Sequence, residues 1–395
     1  MEKEPLIELL ASVLSSTGTL DGPVDFSACL SQARAHSVDN MLYYSMKNVP
    51  DSQKPDEKIQ RMLKELAYAG AARDAIQDRE MEELQELFES RKLFMLPLKG
   101  YVIKSLYPAP GMRYMSDTDI LIQEKQVPQV KKLFEELGYH SNQSNEDGTT
   151  DFYTSPAGMQ YEVHKNLEPE GVRPEDRAFL KKLLSCGIPL KGKQYILRLP
   201  EEEHYVYLLS HFIKHFLGKG IGVRQVMDIY LCREKWEMNE ERLNLLLDRL
   251  KLRDFDEHLI KLAGFWFKGG KPDDMTLSMG DYIFNSGVFG KIENWVPNHM
   301  LRVREQKKNY TLSRLFPPYQ TMCHYYPSLK KAPVLLPACW CRRIFHAAFH
   351  RRARLGREIS AAVKTDSRLL KQQALFFRDC GLNVFEGYRK DELQE

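Results

Sequence analysis

Two aspartates, Asp117 and Asp119, stand one residue apart at the head of a short apolar run, Asp117-Thr-Asp-Ile-Leu-Ile122. In an extended strand alternate side chains share a face, so the two carboxylates point the same way, roughly 6.6 Å apart, while Thr118 and Ile120 point the other way. Such a pair repels itself unless a cation is present. Magnesium suits it, taking a few carboxylates and leaving positions for phosphate oxygens and water. A third acid is expected from a neighbouring strand, and Glu162 is the candidate: in Tyr161-Glu-Val-His164, Tyr161 and Val163 would face a core while Glu162 and His164 face out together. Phosphate needs its own holder. The Leu98-Lys-Gly100 turn offers backbone N–H groups at a helix start, Lys99 adds a mobile cation, and Arg113, four residues before the acid pair, could clamp a phosphate bidentately. Each signal alone is weak, because D-x-D often marks a turn and Gly after a strand is common punctuation. Their order along the chain makes them specific: strand, Gly turn, helix, Arg, acid pair on a strand, acid on a later strand.

The elements that must position these groups are legible from periodicity. Leu93-Phe-Met-Leu-Pro97 is short, apolar and stopped by proline, and reads as a buried strand. A short helical stretch from Leu98-Lys-Gly to about Tyr107, a Pro108-Ala-Pro-Gly loop, the Asp117 strand and a helix from about Gln126 to Leu137 capped by Gly138 follow. Asp151–Ser155 and Met159–His164 read as two more strands joined by a Pro-Ala-Gly turn. Before this module, apolar positions three and four apart between Pro55 and Lys92 predict one long helix or two in succession, with Glu80, Glu82, Glu83 and Glu86 as its wetted face. After it, helices are expected over Glu201–Leu217, Ile221–Trp236, Glu240–Leu250 and Phe255–Phe267, then a Gly-rich irregular region and a set of basic helices. The fold class is therefore α+β, a small mixed-sheet core inserted between N-terminal and C-terminal helical regions. The expected divisions are residues 1–92 (helical), 93–168 (α/β core), 169–299 (helical) and 300–395 (basic and helical).

A chain of 395 residues with 43% hydrophobic content supports two or three packed modules rather than one core, and nothing in it suggests disorder. The charged start, Met1-Glu-Lys-Glu, is wrong for a secretory signal, and no apolar run reaches the roughly 18 residues of a membrane span. A cytoplasmic protein is expected. Seven scattered cysteines fit reduced thiols better than a disulfide framework. Cys339 and Cys341 with His346 and His350 lack the usual zinc spacing. The net charge of +3 hides an asymmetry: from Arg302 to Arg378 there are 17 Lys or Arg against 3 Asp or Glu. A nucleic acid or other polyanion is a plausible partner there, against the plainer reading of basic solvated helix faces.

Leu98-Lys-Gly100, Arg113-Tyr-Met-Ser-Asp117-Thr-Asp119-Ile-Leu-Ile and Tyr161-Glu-Val-His164 resemble the motifs of the uncharacterised nucleotidyltransferase family, which has the DNA polymerase β-type nucleotidyltransferase fold. Residues from about Leu93 to Leu167 carry the catalytic resemblance. It implies that Asp117 and Asp119 bind magnesium, that Glu162 stands as the third acidic residue, and that Gly100 belongs to the phosphate-binding turn. Lys99, Arg113 and His164 then complete the nucleotide site. Tyr101 follows Gly100 where the broad superfamily usually shows Ser or Gly, so no serine hydroxyl is offered there, and Lys99 is the candidate to compensate. The implied reaction uses two Mg2+ ions and an NTP such as ATP, and passes NMP to an unidentified hydroxyl-bearing acceptor with loss of pyrophosphate.

Two further groups are read from spacing. His211 and His215 lie four apart on a helix without the glutamate of a zinc hydrolase, and Arg224 and Asp228, one helical turn apart, are expected to pair; all four could line the nucleotide or acceptor pocket. Two other functional readings stand beside the enzyme: a nucleotide-binding regulatory protein without turnover, and an RNA- or polyanion-binding protein acting through its basic C-terminal region.

Overall fold

The computed structural model describes residues 4–15, 24–142, 144–145, 148–167, 173–303, 307–350 and 352–383. These form two compact units, one of residues 1–214 and 222–288 and the other of residues 215–221 and 289–395. The architecture is mixed α+β, as expected.

The first unit is organised round a five-stranded sheet of β1 (Met95–Pro97), β2 (Asp117–Ile122), β3 (His140–Ser141), β4 (Thr150–Thr154) and β5 (Gln160–His164), in the order β1-β2-β5-β4-β3. Only the central pair is parallel, β2 with β5; the other neighbours run antiparallel. The register sets Asp119 opposite Glu162 and Leu121 opposite His164. Partners across a parallel pair share a face, so the alternation read from the sequence brings aspartate, glutamate and histidine to one side. The other side is apolar: Ile120, Ile122, Tyr161 and Val163 pack under Val130, Leu133 and Phe134 of the Val127–Glu136 helix and Met81, Leu84 and Phe88 of a long helix.

That helix runs unbroken for 34 residues, Glu57–Ser90, and starts where the Asp56 carboxylate accepts from the Ile59 N–H at 2.8 Å. One of its expected wetted acids is not on the surface. Glu80 is buried and accepts from the Tyr161 and Ser155 hydroxyls, each at 2.8 Å. It lies one position before Met81, at the edge of the apolar stripe, and two hydroxyls from the sheet replace its water. Glu82, Glu83 and Glu86 are exposed.

On the acidic face Leu121 is joined by Leu96, Leu98, Leu180, Leu197, Leu199 and Tyr207, which seal the edge of the site. The expected helices appear as Glu201–Phe216, Val223–Lys235, Glu240–Arg249 and Arg253–Lys268. A helix at Pro174–Lys182 and two short pairs of strand residues, β6 (Ile188–Pro189) and β7 (Leu197–Arg198), were not foreseen. The region expected to be Gly-rich and irregular holds helices at Asp274–Ser286 and Ile292–Val303. Asp273 caps the first, accepting from the Thr276 N–H at 2.8 Å. Gly280 within it is a point of close approach, since an added Cβ would lie 3.2 Å from Leu262 Cδ1. The glycine there admits a neighbouring helix rather than breaking its own.

The second unit is helical in its described residues. Val296, Met300, Tyr310, Ala361 and Ala362 form one of its cores, Met322, Cys323 and Leu329 a smaller one, and Phe216 meets Phe377 edge-on at 5.5 Å.

Candidate active site

The turn between β1 and the Gly100–Ile103 helix is strained. Lys99 has φ 47° and ψ −125°, a conformation that glycine adopts freely and lysine does not. The reward is the position of its ammonium: Nζ lies 2.5 Å from Asp119 Oδ1. The adjoining backbone is tied to the same residue, with Leu98 N–H donating to the Asp119 carbonyl at 3.0 Å.

Asp119 is 5% exposed and also lies 2.7 Å from His164 Nε2. Burial opposes its charge, but the Lys99 ammonium, helped by His164, outweighs burial and holds the carboxyl well below the usual carboxylate range. Burial likewise opposes the Lys99 ammonium, and Asp119, Tyr207 and Glu162 overcome it, so Lys99 stays charged. Burial lowers the pKa of His164, whose Nδ1 lies 3.0 Å from Thr150 Oγ1. Glu162 behaves oppositely to Asp119. Burial first, then the negative charges of Asp119 and Asp117, push its carboxyl up to about 8. Its Oε2 lies 3.6 Å from His164 Nε2.

One carboxylate oxygen each of Asp119 and Glu162 and one ring nitrogen of His164 lie within 4.8 Å of one another, and among the described residues this is the one gathering of three such donors. Two hard oxygens and an imidazole in an excess of negative charge are a donor set that fits a divalent cation. Asp117 stands on the same strand face, with Ser116 donating to its Oδ1 at 3.1 Å, and its charge is felt at Glu162.

Arg113 is built in from three directions. Its Nε and Nη2 donate to Asp228 Oδ1 and Oδ2 at 2.9 and 2.8 Å, and the Tyr107 hydroxyl donates to Asp228 Oδ1 at 2.8 Å. The remaining Nη1 lies against Gly100, where an added Cβ would sit 2.3 Å from it and 2.8 Å from Met115 Sδ. A side chain at position 100 would have to displace the guanidinium that Asp228 holds or the Met115 thioether. The expected Arg224–Asp228 pair does not form. Asp228 is claimed bidentately by Arg113, and Arg224 Nη1 donates instead to the Tyr114 carbonyl at 2.8 Å. Burial and the neighbouring Arg113 bring Arg224 down to about 10, so it remains a cation at neutral pH. Arg73 fixes the approach to β2 by donating to the Met115 and Ser116 carbonyls at 3.1 and 3.3 Å.

Of the seven residues singled out from the motifs, Lys99, Asp119, Glu162 and His164 gather, Asp117 stands beside them on the same strand face, and Gly100 and Arg113 meet each other at the turn. Tyr107 and Tyr207 were missed, because they reach Asp228 and Lys99 from distant segments with no local spacing to mark them. Of the histidine pair, His211 has its ring 6.5 Å from that of Tyr207, while His215 belongs to the second unit.

No curated protein matches the chain. Among solved structures it is similar to the solution structure of the antibiotic-resistance factor ANT(2'')-Ia, with 10% identity and a TM-score of 0.34 over 46% of this chain and 94% of that one. The model of the uncharacterised nucleotidyltransferases matches residues 22–268, well over half of the sequence and all of the site just described. The chain therefore belongs to the uncharacterised nucleotidyltransferase family and is a nucleotidyltransferase.

Proposed function

We propose that the protein uses magnesium to transfer NMP from an NTP to a hydroxyl-bearing acceptor, releasing pyrophosphate, with Asp117, Asp119 and Glu162 as its catalytic acids. The observation that carries this reading is the convergence of Asp119, Glu162 and His164 on the sheet face that Asp117 shares, beside the Lys99–Gly100 turn. Residues 93–168 act as the catalytic core, flanked by helical regions 1–92, 169–299 and 300–395. Seven free thiols support a cytoplasmic setting.

Asp117, Asp119 and Glu162, with His164 beside them, would hold the metal. When bound, magnesium supplies charge neutralisation for the triphosphate and for the charge that develops as the α-phosphorus is attacked. Lys99 and Arg113 bind phosphate oxygens from the turn, Lys99 by exchanging its Asp119 contact for phosphate and Arg113 through the Nη1 that faces Gly100. Arg224 adds a second guanidinium beside it. As the new oxygen–phosphorus bond forms and the bond to pyrophosphate breaks, Glu162, ionised once a cation offsets the charges of Asp117 and Asp119, would accept the acceptor's hydroxyl proton.

The test follows labelled phosphate. With α-labelled NTP, magnesium and candidate acceptors, label should appear on the acceptor with wild-type protein and not with Asp117→Asn/Asp119→Asn. Tight NTP binding without any label transfer would instead identify a regulatory nucleotide sensor, the reading favoured by Tyr101 standing where a phosphate-binding serine is usual.

A further inference from the structure

The second unit carries an unusual amount of exposed apolar surface. Among the described residues, 12 of the 16 large hydrophobic side chains left exposed belong to it. They concentrate on and before the Leu336–His350 helix, with Val334 84%, Phe345 64% and Phe349 77% exposed. The inner side of that helix already has a core: Leu336, Cys339 and Trp340 pack on Met322, Cys323 and Leu329. Its outer side shows Ala338, Cys341, Arg342, Phe345 and Phe349 exposed at spacings of three and four, a single stripe. The Phe345 and Phe349 rings lie parallel, 6.1 Å apart and 6° from coplanar, and form one apolar step. The stretch that bears it has 17 Lys or Arg against 3 Asp or Glu.

We propose that this helix face is a docking surface for an anionic lipid bilayer, lying in the headgroup layer with Val334, Phe345 and Phe349 entering the acyl boundary and the surrounding Lys and Arg meeting lipid phosphates. An apolar stripe on a strongly basic helical unit is the composition of interfacial helices. The charge excludes a second copy as the natural occupant, since two such surfaces repel. A single nucleic-acid strand satisfies the charge but leaves the aliphatic part unused: Val334 and Leu335, just before the helix, are exposed and have no ring on which a base could stack. No helix among the described residues is long and apolar enough to cross a membrane, so the contact lies in the plane of the surface. The inference is independent of the proposed reaction.

The experiment is co-sedimentation of the full-length protein with vesicles of phosphatidylcholine alone or with about one-third phosphatidylserine. Binding should need the anionic lipid, weaken with salt, and fall about ten-fold or more in Phe345→Ser/Phe349→Ser. Phe345→Trp/Phe349→Trp should preserve binding and gain fluorescence quenching by brominated lipid, which separates a lost contact from a lost fold. The proposal is overturned if wild-type protein ignores anionic vesicles. It is equally overturned if the serine variant loses affinity for an oligoribonucleotide but not for vesicles, or if it changes only the oligomeric state by light scattering.

Discussion

Lys99 occupies a backbone conformation that would be relieved by glycine, and strain of this kind costs on the order of 1–3 kcal/mol. Its side chain must therefore repay the cost, and the 2.5 Å contact with Asp119 shows where. Lys99→Met and Lys99→Gly should both lose label transfer. The glycine variant should be the more stable of the two by about 1–2 kcal/mol in urea unfolding, after glycine's own entropy is subtracted; equal stabilities would mean the turn is not strained. Gly100 poses a complementary question. Its missing Cβ leaves room for Arg113 Nη1, so Gly100→Ala should raise the KM for NTP about ten-fold in the wild-type background and add little to Arg113→Ala. Additive effects would separate the two residues. Asp117, Asp119, Glu162 and His164 were legible because strand alternation is local and period two makes it unambiguous. The partner of Asp228 was not: a neighbouring arginine one helical turn away fits the same spacing rule, and only the tertiary fold lets Arg113, 115 residues away, win.

Elements were read well where their apolar positions keep the period. β5 alternates Tyr161 and Val163 with Glu162, the Val127–Glu136 helix spaces Val127, Val130, Leu133 and Phe134 by three and four, and both lie where expected. Asp274–Ser286 falls inside the stretch expected to be Gly-rich and irregular, and Gly280 within it is a contact point against Leu262. Glu80 was misassigned because its charge is hidden between helix and sheet. Removing it tests that geometry. Glu80→Ala leaves the Tyr161 and Ser155 hydroxyls without their acceptor, and should destabilise the first unit by about 1–3 kcal/mol in denaturant. Glu82→Ala, on the wetted face, should move the midpoint little.

At the scale of the molecule the family match ends at residue 268, within the first unit, and the basic stretch from Arg302 to Arg378 lies beyond it. The charge asymmetry was plain in the sequence, whereas the apolar stripe within it was not, since a helix apolar on both sides shows no clear period. Stability of the first unit should carry a pH signature. His204 is 2% exposed, and burial brings its pKa down to about 3, against the usual value near 6.5 when unfolded. Below about pH 6.5 the unfolded chain takes a proton that the folded one refuses, so stability is full above that pH and falls as pH drops toward 3. His204→Leu should flatten this part of the unfolding-versus-pH curve; an unchanged slope would place the titration elsewhere.

The most direct measurement is pyrophosphate release from an NTP in magnesium, in the presence of a competent hydroxyl acceptor, by wild-type protein and by Asp119→Asn. The carboxylate cluster predicts turnover that depends on the divalent ion and falls about a thousand-fold in the variant. Equal release by both proteins would contradict it.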